Sequence, residues 1–336
     1  MTHGGCWLTL TDVPVSQVNE LLDASYQLYQ HVGMEDSAIL RTVSYSLPAV
    51  LLAHVQAVAP TTFFSTPWQT QRKRSFGARE ARGDVESREF VTMLSSRQPD
   101  FVVVPDNLRW LYKTFAYEPK ATDRNTLGIV GYNNQFPSPK DLSVFLTHLR
   151  TDAKNAKFSV ELVNDGKNKP GSPGNEANLN MQYAQAMAFP TPHIFYSVGG
   201  RMYWSRKTGE PIVGRDADSE WLEYLLLKDK IPQTISISYG FNESNVPEEY
   251  ATALCSLYKQ LGVRGVSILA ASGDDGVGYG ACLAKDGSGR VQFLPTFPAS
   301  CMSGVLSVPP SFQMVQKCSH NLLTTTYLRF CRSLRH

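Results

Sequence analysis

Val266-Ser-Ile-Leu-Ala-Ala-Ser272-Gly-Asp274-Asp275-Gly276 is the stretch on which the fold turns. Its first half is apolar and too short for a helix, as a strand buried on both faces would be. Small residues, a glycine and two acids follow. In open α/β sheets, ligands bind outside the carboxyl ends of the strands, so Asp274 stands where chemistry is usually done. A tight Asp-Gly turn, with the acids bonding local backbone, reads these residues equally well.

Working outward, strands at 127–132, 158–163, 193–196, 234–239 and 266–271 alternate with helices at 108–115, 139–149, 176–188, 220–227 and 247–261. Near-continuous apolar strands separated by helices describe a parallel sheet covered on both faces. Residues 302–336 break that rhythm, and nothing in them reads as a further strand–helix unit. Residues 1–65 form a separate block with the order β-α-β-α-β: a strand at 6–10, a helix at 15–29, a strand at 41–45, a helix opened by Pro48 and a strand at 61–64. That order suggests a partial ferredoxin-like α+β unit. Residues 66–98 are charged and aperiodic and read as a linker. Within it, Arg72-Lys73-Arg74 is either a solvated charge run or a processing site for a basic-specific protease.

Composition bounds the function. The 336 residues are 42% hydrophobic and 11% aromatic, enough for a real core. Lys+Arg 32 against Asp+Glu 30 gives a net charge of +2, which argues against nucleic-acid and anionic-membrane partners. No apolar run has the length of a membrane span. No signal peptide is visible at the start, while Asn242-Glu243-Ser244 is a glycosylation sequon. The six cysteines fit no zinc pattern. Cys282 and Cys301 could close a loop, whereas Cys6 and Cys255 read equally well as small buried residues.

A second constellation is Gly171-Ser-Pro-Gly-Asn-Glu176-Ala-Asn-Leu-Asn180-Met-Gln-Tyr183. A Gly/Pro loop enters a helix, and Glu176 and Asn180 lie one helical turn apart on one face. An acid in the first turn is also what any helix start favours. Phe293-Leu-Pro-Thr-Phe-Pro-Ala-Ser-Cys301 suggests an extended surface run or a cis bond. His193 stands beside an apolar strand as a satisfied structural histidine. G-x-S-x-G, G-x-x-x-x-G-K-[ST] and H-E-x-x-H are absent.

Taken as a set, Glu176-Ala-Asn-Leu-x-x-Gln-Tyr183, Ser238-Tyr-Gly240, Ser272-Gly-Asp274-x-Gly276 and Pro295-Thr-Phe-Pro-Ala-Ser300 resemble the sedolisin (serine-carboxyl peptidase) family, in its tripeptidyl-peptidase-like fungal branch. The resemblance covers residues 1–301. It implies a subtilisin-like doubly wound parallel sheet at 99–301, preceded by part of an activation prodomain at 1–65 and followed by a divergent tail at 302–336. It further implies a secreted, acid-active peptidase made as a zymogen, with protein or peptide substrates and an intramolecular prodomain. Glu176 matches the family's general base and Asp274 its oxyanion-hole acid. Asn180 stands where the family has its triad Asp. The nucleophilic Ser belongs to a Gly-Thr-Ser motif, which these residues lack. The calcium that the resemblance implies has its ligand loop in a part of the family pattern that is missing here.

Such a site suits acid. A neighbouring carboxyl raises the pKa of a carboxylate base, and an oxyanion-hole Asp must be protonated to donate. The expectation is therefore a peptidase chain that is truncated and inactive. The competing expectations are a non-catalytic pseudo-peptidase or inhibitory binding module, and an incomplete sheet that aggregates.

Overall fold

The computed structural model describes residues 10, 13–30, 38–55, 58–59, 61–64, 104–200, 216–273, 288, 290, 292–301 and 305–308. The strand expected at 6–10 (apart from Leu10), the linker at 66–98 with Arg72-Lys73-Arg74, Asp274 and Cys282 lie outside them.

The chain first forms helix α1 (Val15–Leu22), then strands β1 (Gln27–Tyr29) and β2 (Ile39–Arg41), which pair antiparallel. The helix expected over 15–29 stops early. Asp23 turns left-handed at φ 45°, and the Asn19 side chain accepts the Tyr26 amide at 2.8 Å, sending the chain out as a strand. Residues 49–54 are turns rather than the helix expected after Pro48. Val50 and Leu52 there are exposed, and a short helix without a packed face is not stable. No strand forms at 61–64, where one backbone bond joins Thr42 N to Thr61 O at 3.2 Å. Phe63 packs on the main core, and Arg41, Thr61 and Phe63 line a cleft with Glu249 and Tyr250.

Helix α2 (Pro105–Leu111) leads to the sheet. The sheet contains β3 (Leu127–Gly131), β4 (Phe158–Val163), β5 (His193–Val198), β6 (Thr234–Ile237), β8 (Ser267–Ala271) and β10 (Val305–Val308). Between β6 and β10 the chain also forms the short strands β7 (Phe241–Asn242) and β9 (Thr296–Phe297), which pair antiparallel with each other. The spatial order is β10-β8-β6-β3-β5-β4, all parallel. After β3 the chain builds β4 and β5 on one side, then crosses to build β6, β8 and β10 on the other. The carboxyl end of β3 is thus a topological switch point.

Helices α3 (Pro139–Leu149) and α4 (Asn175–Ala188) cover one face, and α5 (Ala217–Leu227) and α6 (Glu248–Val263) the other. Successive strand residues serve opposite faces. Ile129 and Phe195 pack with Leu142, Leu146 and Met181, while Val130 and Tyr196 pack with Trp221, Leu222 and Leu254. These side chains are fully or almost fully buried, which is why the strands are apolar throughout.

Four expectations change. Cys255 on α6 is disulfide-bonded to Cys301, so Cys255 is not a free buried thiol and Cys301 is not paired with Cys282. Asn242 is only 4% exposed, with its Oδ1 accepting from Ser244 N and Oγ, so the sequon asparagine is not presented for glycosylation. Thr296 and Phe297 form a buried strand rather than a surface run, although the Phe297–Pro298 bond is cis. Val305–Val308 adds a strand to the sheet beside β8, where no further unit was legible.

Candidate active site

Helix α4 begins over the carboxyl edge of the sheet. Its N-cap is Gly174, which has no side chain to offer the first amides. Gln135, in the loop just past β3, supplies the acceptor: its Oε1 takes the Glu176 amide at 2.9 Å and the Ala177 amide at 3.4 Å. Gly174 N bonds Phe136 O at 3.0 Å in the same place. Asn178 fastens α4 to α3, its Oδ1 accepting Ser138 N at 2.8 Å and its Nδ2 donating to Asp141 Oδ2 at 2.7 Å. The start of α4, and half-buried Glu176 with it, is therefore anchored to the end of β3.

The other motif segments gather along that same edge. Tyr239 follows β6, which is hydrogen-bonded to β3, and packs edge-on against Tyr132 with ring centroids 5.2 Å apart. Ser272 and Gly273 follow β8, the neighbour of β6. Gly273 has φ 85°, a left-handed conformation that glycine adopts without strain, so the chain turns sharply just before position 274. Thr296 Oγ1 donates to Ser272 O at 2.8 Å, and Glu243 N to Pro295 O at 2.9 Å. The Pro-Thr-Phe-Pro segment thereby clamps the tip of β8 to the loop after β6.

Behind Tyr132 lies a buried acidic pair at the start of α5. Asp216 caps the helix, accepting from Ser219 N at 3.1 Å, Ser219 Oγ at 2.9 Å and Tyr250 Oη at 2.6 Å. Three donors suit Asp216 to carry the negative charge. Burial, then the neighbouring Asp216 charge, pushes the Asp218 carboxyl up to about 7, with Tyr132 pulling the other way. Tyr132 and Asp218 shift one another's titration, yet Tyr132 Oη lacks hydrogen-bonding geometry to any described partner. Burial, with Asp218 and Asp216 adding to it, also drives the Tyr258 phenol well above its ordinary range.

Of the residues singled out in sequence, Glu176 and Asn180 are both half-buried and lie one turn apart near the start of α4, and the Nδ2 of Asn180 is buried without a partner among the described residues. His193 is a buried residue of β5. Neither ring nitrogen meets strict hydrogen-bond geometry with a described residue, although the Ala184 and Thr191 backbone partly offsets the lowering of its pKa by burial, so it is a structural histidine. Gln135, Tyr132, Tyr239 and Asp218 were not legible as site residues, although Tyr239 sits inside the Ser-Tyr-Gly that fitted the motif set. Among the described residues no group of three or more His, Cys, Asp or Glu could hold a metal ion. No helix among them is long and apolar enough to cross a membrane.

Comparison with known proteins adds the following. Residues 1–64 match the family model described as Pro-kumamolisin, activation domain. The chain is 32% identical over 317 residues to a probable tripeptidyl-peptidase SED3 of Arthroderma benhamiae, covering 92% of this chain and 51% of that protein. It is 31% identical over 295 residues to the tripeptidyl-peptidase sed4 of Aspergillus fumigatus, covering 85% and 48%. Among solved structures, a Pseudomonas sedolisin (serine-carboxyl proteinase) complexed with two molecules of pseudo-iodotyrostatin is similar at a TM-score of 0.42 and 17% identity, over 61% of this chain and 52% of that one. The chain spans about half the length of the curated relatives it matches.

Proposed function

Because the chain belongs to the sedolisin family of serine-carboxyl peptidases, in its tripeptidyl-peptidase-like fungal branch, we propose that its site serves hydrolysis of peptide bonds in acid, in a secreted protein whose residues 1–65 act as an intramolecular prodomain. Glu176 is the general base, and Asp274 the protonated donor to the developing oxyanion. The observation that carries this reading is the gathering of the Glu176 helix start, the Tyr239 loop and the β8 tip on the carboxyl edge beside a switch point.

The chemistry follows from charge. A carboxylate accepts the proton of a serine hydroxyl as the oxygen attacks the carbonyl carbon. Negative charge then builds on the carbonyl oxygen, and a protonated carboxyl stabilises it by donating a hydrogen bond. These 336 residues hold no Gly-Thr-Ser, so we infer that they do not turn over peptides unaided. Asn180 favours a second reading, a non-catalytic relative, because an amide cannot share a proton with Glu176.

A chimera separates the two. Residues 1–301 are joined to the remaining half of the Arthroderma benhamiae relative and assayed on a peptide substrate at acidic pH. The peptidase reading expects cleavage that falls on the order of 10³-fold or more with Glu176→Gln. A folded chimera that is inert, and gains cleavage only with Asn180→Asp, establishes the non-catalytic reading instead.

A further inference from the structure

A helix start leaves its first backbone N–H groups without intrahelical partners, and they attract negative charge. At α4 the acid of the first turn is Glu176. A serine or aspartate at the N-cap would ordinarily compete for those donors, but residue 174 is glycine and offers no side chain. The acceptor comes instead from the loop past β3. Gln135 Oε1 takes the Glu176 amide at 2.9 Å and the Ala177 amide at 3.4 Å, while Asn178 N reaches Gly174 O at 3.0 Å. The glycine is what admits that side chain. A Cβ at position 174 would stand 2.7 Å from both Cβ and Cδ of Gln135, closer than such atoms approach. Gln135 and Gly174 together give the helix of the base a neutral cap from outside the helix.

We propose that Gln135 is a positioning residue that keeps Glu176 from capping its own helix. A carboxylate drawn onto backbone amides is held in its ionised form and turned back towards them, which makes it a weaker base. The glutamine carbonyl satisfies the same donors and carries no charge. The inference rests on the peptidase reading of Glu176. Glu176 has further interactions of its own; what Gln135 takes out of its reach is this pair of donors. Other titratable groups surround the helix start. Helix α3 brings Lys140 and Asp141, the latter bonded to Asn178. Helix α2 brings Asp106 and Arg109, paired with each other at 3.4 Å. Tyr132 and Tyr239 stand past β3 and β6, and burial keeps both phenols protonated in acid. All of these stay in place when the cap alone is altered.

The test is NMR on the 336-residue chain, labelled with 15N-glutamate and 15N-alanine for the two amides and with 13C at glutamate Cδ, titrated through the acid range. In the wild-type chain the Glu176 and Ala177 amide protons are expected to hold their shifts while the Glu176 carboxyl titrates. A downfield step at the carboxyl midpoint, the mark of an amide donating to an ionising carboxylate, overturns the proposal without any variant. Gln135→Gly is expected to create that step and to lower the Glu176 midpoint by about half a unit. Gln135→Gly with Gly174→Ser returns an acceptor at the N-cap, with no Cβ at 135 to obstruct it, and is expected to restore the wild-type midpoint. A merely structural tie is not restored by the serine, which leaves the helix detached from the β3 loop. An unchanged midpoint in a folded Gln135→Gly chain, or a lowered one that the serine fails to restore, overturns the proposal. Flat wild-type amides together with an inert chimera remove the peptidase reading alone. A downfield step together with an active chimera removes the positioning role alone.

Discussion

Asp218 is 6% exposed in the first turn of α5, beside a second carboxyl group that already has three donors. Its folded pKa is pushed up to about 7 by burial and by Asp216, against 3.8 ordinarily. Between those values the folded chain holds a proton that the unfolded chain has released. This contribution is therefore complete below about 4 and is lost as pH rises through about 7, with a slope of at most about 1.4 kcal/mol per pH unit. His193 acts in the opposite sense. Burial lowers its pKa, so the unfolded state takes up the proton first and stability is lost as pH falls below about 6.5. Asp218→Asn is expected to abolish the acid gain and leave the His193 loss visible. Urea unfolding at about pH 5 and about pH 7 checks this: the variant should be less stable at the lower pH relative to wild type. The Asp218 direction suits the acid-active reading proposed above, and it arises from a buried structural side chain.

At the scale of the element, α4 shows what sequence can and cannot reveal. Its apolar spacing and acidic first turn made the helix legible, and β8 was legible as an apolar run ending in small residues. Its cap was not legible, because the acceptor is Gln135, which is 41 residues away from Glu176 in the chain and meets it only in the folded sheet. Gln135→Ala is expected to cost about 1 kcal/mol in urea unfolding, as loss of a helix cap does, and to loosen the Glu176 backbone. The helix expected after Pro48 failed for the complementary reason. Its apolar residues form a helical pattern, but Val50 and Leu52 face solvent and no packed face repays the ordering. The strand at Val305–Val308 was hidden because four residues carry too little pattern, and only pairing with β8 defines them.

Across the whole molecule, the strand order fixes where a site can form, because crossings on opposite sides of β3 leave a crevice at its carboxyl end. One covalent link spans the half of the sheet beyond it. Cys255 and Cys301 close a loop with a sequence separation of 46, which in the chain-entropy account is worth up to about 4 kcal/mol. Cys255→Ala with Cys301→Ala is expected to lower stability by about 2–4 kcal/mol in urea unfolding. The pairing was not legible because cysteine spacing alone does not define connectivity, and α6 meets position 301 only through the packing of the whole sheet.

That link encloses β8 and the Ser272–Gly273 turn within a covalent ring. A peptide bond hydrolysed anywhere between Cys255 and Cys301 opens the ring without releasing a fragment, so the severed ends stay tethered and the mass rises only by the added water until a reductant is supplied. A single cut inside the ring therefore changes the connectivity of the fold without parting the two sides of the cut.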